Sequence, residues 1–273
     1  MGKETLVKRI VFGVLFLVVV IGCLMHPVAL LLFSVFLALA LSHEFYRMTV
    51  SPCYRKEEIL VMVAMAATLV LFYTLPVRWL WLGLLPVIGA WICQLFDGAE
   101  GHAFETEPYF PLIYILPMPL SLLRLSLVQE AFTWRLTLGL FVIIWCCDVG
   151  AYCLGMLFGQ RPTSRKLFPA LSPKKSWIGV VGGTAFAFLG GWAVWAVWGG
   201  EVLPLRHWIV LALIASVFGV LGDLFESLIK RHAGVKDAGR LIPGHGGLMD
   251  RFDDALFVLP VATVYLLTIQ ILG

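Results

Sequence analysis

Long apolar blocks separated by short charged runs make up this chain, and nine such blocks can be marked. They run from Ile10 to Met25, Pro27 to Phe45, Ile59 to Leu75, Trp79 to Phe96, Tyr109 to Leu123, Trp134 to Phe158, Trp177 to Trp198, Trp208 to Leu228 and Ala255 to Leu272. A helix that crosses a bilayer needs about 20 residues, within a range of about 17 to 25. The first and fifth blocks are short. The fifth also carries Pro111, Pro117 and Pro119, which predict a broken or tilted helix. The first block is read as a span rather than a cleaved leader, because further spans follow it closely and no small-x-small cleavage site comes after it.

Composition strengthens this pattern. The chain is 60% hydrophobic and 14% charged, with mean hydropathy +0.93, whereas a soluble domain carries about 25% charged residues. The fold class expected is an all-α integral membrane protein of about nine transmembrane helices. A net charge of +3 decides little, but the positions of the basic residues decide orientation. With the N-terminus inside, the cytoplasmic segments hold Lys3, Lys8, Arg9, Arg47, Arg55, Lys56, Arg161, Arg165, Lys166, Lys174, Lys175, Lys230, Arg231, Lys236, Arg240 and Arg251. That is 16 of the 20 basic residues, leaving Arg78, Arg124, Arg135 and Arg206 outside. An odd number of spans puts the C-terminus outside. The loop between the fourth and fifth spans is inside yet acidic (Asp97, Glu100, Glu105, Glu107), and acidic residues weigh little in this rule. A multi-pass protein of the plasma or inner membrane is expected, with its working face toward the cytoplasm.

The chain reads as a single domain over residues 1–273, without a flexible linker or a repeat. Residues 1–133 look like hydrophobic scaffold, and residues 134–273 carry the chemistry. Six cysteines stand at 23, 53, 93, 146, 147 and 153, in no pattern that suggests a disulfide framework. Cys146, Cys147 and Cys153 share one helix without a nearby histidine, so they read as small packing residues rather than zinc ligands.

Three constellations stand out. Asp148 lies well inside the sixth block, and an ionisable residue there is a functional candidate. Gly150, Gly155 and Gly159 beside it read as packing positions, as do Gly179 and Gly183 on the next helix. The second constellation is residues 161–183, where Ser172-Pro173 marks a turn and Ser176 is a good N-cap for the seventh helix. Lys174 and Lys175 then stand at a helix N-terminus, where backbone amides already favour anions.

The third is residues 222–254, with eleven charged side chains enclosed by apolar blocks. Charge beside a membrane core is costly, so a dense mixed-sign cluster there points to a working site. Asp223, Glu226, Ser227 and Lys230 share one face of a helix that extends the eighth block. Lys236 and Asp237 follow in a polar loop. The run Pro243 to Gly247 holds three glycines in five residues, which lets backbone amides approach a phosphate. Asp250 and Asp253 come next, one helical turn apart, and two such carboxylates can share Mg²⁺ together with substrate phosphates. Three roles stay open for His245: binding phosphate, donating a proton or holding the loop.

The segment SLIKRHAGVKDAGRLIPGHGGLMDRFD, Ser227 to Asp253, resembles the signature of the phosphatidate cytidylyltransferase (CDP-diacylglycerol synthase) family. The upstream blocks VLGDLFES, SPKKSW and DVGAYCLGMLFG look like that family's accompanying motifs in the same order, so the specific resemblance covers roughly residues 145–254. Three departures are visible. Ser176 stands where threonine is usual, Ile178 stands where a polar residue is common, and the loop from Gln160 to Leu171 is a few residues long.

The resemblance implies an enzyme that joins CTP to phosphatidate, giving CDP-diacylglycerol and pyrophosphate in phospholipid biosynthesis. It implies catalytic roles for Asp148, Asp223, Glu226, Lys230, Asp237 and His245. Lys174, Lys175, Ser176, Ser227, Arg231, Lys236, Gly246, Gly247 and Arg251 would bind substrate phosphates, and Asp250 and Asp253 would hold Mg²⁺. Asp254 lies outside the matched pattern and is expected to matter less. A second cation such as K⁺ and a homodimer also belong to this expectation, and nucleic acid does not. Membrane lipid is the remaining partner.

Two other readings are weaker. A CDP-alcohol phosphotransferase pattern fits Gly246, Asp250 and Asp254, but its upstream half would begin at position 232, where His232 stands. A transporter would place its charge at a midplane site between inverted repeats, which the chain does not display. The topology has a direct test. Cysteines introduced at Thr163 and Ala238, in a background lacking the native cysteines, are expected to label only when an impermeant thiol reagent reaches the cytosol. Labelling from outside in intact cells overturns the orientation.

Overall fold

The computed structural model describes residues 3–49, 55–74, 109–128, 131–161, 164–198, 200–239, 246–269 and 271. Among the described residues the apolar blocks become helices, because a backbone surrounded by hydrocarbon must satisfy its own N–H and C=O groups. They are α1 (Lys3–Leu24), α2 (Pro27–Thr49), α3 (Arg55–Thr74), α4 (Phe110–Tyr114), α5 (Pro117–Leu125), α6 (Arg135–Leu157), α7 (Trp177–Trp198), α8 (Leu205–His232) and α9 (Met249–Thr268). The fold is that of an α-helical membrane protein. Among the described residues, α2, α6, α7 and α8 are long and apolar enough to cross a bilayer. The block from Trp79 to Phe96 lies outside the described residues.

The fifth block is broken, as its prolines predict. α4 ends after five residues, and α5 restarts with Pro117 in its first turn. Two short antiparallel hairpins, unforeseen in the all-α expectation, interrupt the helices. β1 (Leu127–Val128) pairs with β2 (Ala131–Phe132), and β3 (Lys166–Phe168) pairs with β4 (Ser172–Ser176). The second hairpin occupies the long loop after α6. Ser176 ends β4, and its hydroxyl accepts a hydrogen bond from the Gly179 N–H at 3.2 Å, so it caps α7 as expected.

The helices divide into two contiguous groups. α6, α7, α8 and α9 pack on one another in sequence, while α2 packs on α3 and α5. An aromatic cluster joins the groups. Phe45 of α2 stacks on Phe110 at 5.7 Å, Tyr114 lies 5.2 Å from Phe225 of α8, and Phe225 lies 5.5 Å from Phe257 of α9. Offset and edge-on aromatic contacts add about 0.5–1.5 kcal/mol each beyond their burial. Many large apolar side chains on α6, α7 and α8 face outward, among them Val149, Leu189, Trp192, Val197, Leu213 and Val217. Outward apolar surface of this kind suits lipid rather than water.

α6 and α7 approach closely because glycines meet at their crossing. A Cβ at Gly150 would stand 2.6 Å from the Gly182 carbonyl oxygen and from Phe186 Cβ, and one at Gly183 would stand 3.0 Å from the Cys147 carbonyl oxygen. Gly182 joins the expected Gly179 and Gly183 at this contact. Gly150→Ala is therefore expected to overpack the crossing and destabilise the bundle by about 1–3 kcal/mol. A thermal unfolding series in detergent, with the exposed-face Val149→Ala as control, measures it. An unchanged midpoint for Gly150→Ala would show that the helices can separate at no cost.

Candidate active site

Polar residues from α6, β4, α8 and α9 line one cavity of about 780 Å³. Asp148 comes from α6, Lys174, Lys175 and Ser176 from β4, Asp223 from α8, and Asp250, Arg251, Asp253 and Asp254 from α9. The rest of the wall is largely apolar, with Tyr152, Met156 and Val180.

Close helix approach brings the acids together. A Cβ at Gly222 of α8 would stand 2.5 Å from the Asp253 carbonyl oxygen, so only glycine lets α9 lie this near. Asp254 lies against Gly219, one turn earlier. The result is that carboxylate oxygens of Asp223, Asp253 and Asp254 lie within 4.8 Å of one another. The Asp148 carboxyl stands within hydrogen-bond reach of Asp254. Lys175 forms an ion pair with Asp223, and the Ser227 hydroxyl donates to Asp223 at 3.4 Å.

Asp250 has a different environment. Its Oδ1 accepts from Lys230 Nζ at 2.8 Å, while its Oδ2 accepts from the backbone N–H of Gly247 at 2.8 Å and of Ala238 at 3.0 Å. Lys230 also donates to Glu226 at 3.0 Å. Asp250 sits in the first turn of α9, ahead of the apolar stretch that begins at Ala255. Burial pushes its carboxyl up, but Lys230 and the two amides outweigh burial and hold it below the ordinary carboxylate range. Gly246 adopts φ +84°, a left-handed conformation that delivers the Gly247 amide to this carboxylate.

The expected pairing of Asp250 with Asp253 is thus divided. Asp253 lies with Asp223 and Asp254, while Asp250, also on the cavity wall, is tied to Lys230 and to the turn that precedes α9. One helical turn of spacing brought the two residues to neighbouring positions, but their partners on α8 lie in different directions. Asp254, which lies outside the matched pattern, belongs to this carboxylate cluster.

The other expected residues separate cleanly. Asp148, Asp223, Lys174, Lys175, Ser176 and Arg251 line the cavity. Ser176 is buried, with its hydroxyl on the α7 N-terminus. Glu226 and Lys230 lie behind the wall in the clamp on Asp250, and Ser227 braces Asp223. Arg231, Lys236 and Asp237 are exposed and outside the cavity wall. Gly246 and Gly247 shape the turn into α9. His245 lies outside the described residues.

Sequence reasoning missed three contributors besides Asp254. Gln160 donates to the Lys174 carbonyl at 2.9 Å, and Lys166 donates to Gln160 at 3.0 Å, which ties the β3–β4 hairpin to the end of α6. Glu44 reaches from α2 to α9, accepting from the backbone N–H of Leu248 at 2.9 Å and of Met249 at 2.8 Å. A carboxylate inside the second apolar block was a signal of the same kind as Asp148.

An acid-rich cavity with lysines and an arginine, cut into a bundle of apolar helices, defines a membrane protein with a charged pocket. More particularly, the chain belongs to the cytidylyltransferase family, whose family model matches residues 7–269. It is similar to the phosphatidate cytidylyltransferase of Staphylococcus saprophyticus subsp. saprophyticus, with 43% identity over 129 residues, 47% of this chain and 48% of that protein. The phosphatidate cytidylyltransferase of Staphylococcus epidermidis is 44% identical over 136 residues, 49% of each chain. The match spans about half the length of these curated relatives.

The clamp has a testable energetic signature. The Lys230 side chain is 12% exposed, Asp250 10% and Glu226 0%. Removing the one cation leaves two buried carboxylates facing each other. Lys230→Met is expected to destabilise the protein by about 3–5 kcal/mol, the scale of breaking a buried ion pair from one side. Adding Glu226→Gln and Asp250→Asn to Lys230→Met should recover part of that loss in thermal unfolding. No recovery would mean that charge is not what the cluster balances.

Proposed function

We propose that the protein is a CTP:phosphatidate cytidylyltransferase that makes CDP-diacylglycerol and pyrophosphate. The observation that carries this reading is the charge of the cavity wall. Asp148, Asp223, Asp250, Asp253 and Asp254 face Lys174, Lys175 and Arg251. An acid-rich wall alone repels a polyphosphate, and a wall without bases cannot position one. The combination suits a nucleotide that arrives with a metal ion. The family membership and the names of the relatives support the same reaction.

In that reaction a phosphatidate oxygen attacks the α-phosphorus of CTP. A new P–O bond forms, the bond from the α-phosphorus to the bridging oxygen breaks, and pyrophosphate leaves. The nucleophile is already ionised, so the site needs no strong base. Its work is positioning and charge neutralisation. Lys174, Lys175 and Arg251 are the wall groups that would meet phosphate oxygens, and Ser176 fixes the two lysines relative to α7. Asp250, clamped by Lys230, fixes the turn that presents Gly246 and Gly247. The apolar wall around Tyr152 and Met156 suits the lipid end of the substrate.

A hard divalent cation fits Asp223, Asp253 and Asp254, which offer clustered carboxylate oxygens and open onto a cavity with room for substrate oxygens and water. When bound, Mg²⁺ would supply neutralisation of the triphosphate and the leaving pyrophosphate. A second cation such as K⁺ also belongs to this reading. The nine-span topology, an inside N-terminus, an outside C-terminus, a cytoplasmic active site in the plasma or inner membrane, and a homodimer complete the reading.

Purified protein is expected to convert labelled CTP and phosphatidate into a lipid-soluble product, to stop with a chelator and to resume with Mg²⁺. Asp253→Asn and Asp254→Asn should each lower turnover at least about a hundredfold, the scale of one preorganised electrostatic group. Near-native turnover in both variants would remove these carboxylates from the mechanism. Full activity in metal-free buffer would remove the cation.

A further inference from the structure

α9 begins without a capping side chain of its own. Its N-cap residue is Leu248, and its first backbone N–H groups would be orphaned in a buried setting. Glu44 satisfies them from more than two hundred residues away. Its Oε1 accepts from Leu248 N–H and its Oε2 from Met249 N–H. The side chain is buried, and its charge is of the sign that a helix N-terminus favours.

Three features make the contact tight. A Cβ at Gly239 would stand 2.5 Å from Glu44 Oε1, and one at Gly247 would stand 2.7 Å from Glu44 Oε2. The Gly247 position is also 2.6 Å from the Gly239 amide nitrogen, so the two ends of the 239–247 loop meet on this carboxylate. Phe45, the next residue, is locked into the aromatic cluster with Phe110 and Tyr114, which holds the register of α2. The same first turn of α9 carries Asp250, and Asp253 and Asp254 follow on the same helix.

We propose that Glu44 is a positioning residue for catalysis: its carboxylate pins the α9 N-terminus and the base of the glycine loop to α2, and so sets the placement of Gly247, Asp250 and the Asp253–Asp254 pair. It touches no substrate and acts through the backbone of Leu248 and Met249. Both oxygens are needed, because two neighbouring N–H donors must be satisfied together. The role in turnover rests on the cytidylyltransferase reading, and the role in holding α9 does not.

The test uses full-length purified protein with two readouts, steady-state kinetics with CTP and phosphatidate, and amide hydrogen exchange. Glu44→Gln keeps the volume but sets an NH₂ group against one of the two donors. Exchange in the peptide covering Gly246 to Phe252 is expected to rise about tenfold, the scale of losing one charge-assisted hydrogen bond. Exchange across α7 should stay unchanged. Turnover should fall by about the same factor, with the phosphatidate KM within about twofold, since the lipid-facing wall is untouched. Gly239→Ala, which crowds the carboxylate from the other side, should reproduce the pattern with Glu44 intact. Wild-type exchange and wild-type kcat in both variants overturn the proposal. Loss of the whole fold in both also overturns it, because a positioning role leaves the other helices standing. Raised exchange in a protein whose wild type makes no lipid product overturns the cytidylyltransferase reading and leaves the anchoring of α9 intact.

Discussion

A carboxylate placed among apolar helices must find a cation or a set of donors, and this requirement organises the second half of the molecule. Glu226 and Asp250 share Lys230, Asp223 holds Lys175, and Glu44 takes two backbone amides. Each pairing ties together elements that are distant in sequence. α8 is bound to α9 through Lys230, β4 to α8 through Lys175, and α2 to α9 through Glu44. Asp253 and Asp254 have no such cation among the hydrogen bonds and ion pairs of the described residues, and they lie with Asp223 in the cavity. The acids without a cation are therefore gathered at one place, on the cavity wall.

Close backbone approach is the second constraint, and it is met by glycine. Gly150 with Gly182 sets the distance between α6 and α7, and Gly222 sets that between α8 and α9. Lipid offers apolar helices no hydrophobic reason to associate, so packing and interhelical polar contacts hold the bundle together. The same glycines that permit the packing bring Asp148, Asp223, Asp253 and Asp254 to one cavity. Stability and site assembly thus draw on a single set of contacts. The aromatic cluster of Phe45, Phe110, Tyr114, Phe225 and Phe257 fastens α2 and α4 to α8 and α9.

Much of the site was legible in the chain itself, because its chemistry is local. The i, i+4 pairing of Glu226 with Lys230 and of Asp223 with Ser227 follows from helical spacing, and the cap at Ser176 follows from its position before an apolar run. The break at Pro117 follows from the missing N–H of proline. The roles of Asp250 and Asp254 were not legible in this way. The residues of one helical turn can be placed on a wheel, but the wheel does not say which neighbour each one meets. Asp250 met Lys230 and two loop amides, while Asp254 met Gly219 and Asp148.

By itself, the sequence determined that this is a helical membrane protein with a dense mixed-sign charged segment near its C-terminal end. Long apolar blocks must be helices in lipid, and a charged run between them is tolerated only for use. Tertiary structure alone decided which carboxylates share a site and which act as struts. It also decided that Glu44, in a block read as scaffold, belongs with the turn before α9. Partners in a helix bundle are set by how the helices cross, and a crossing depends on contacts between residues as far apart in sequence as Glu44 and Met249.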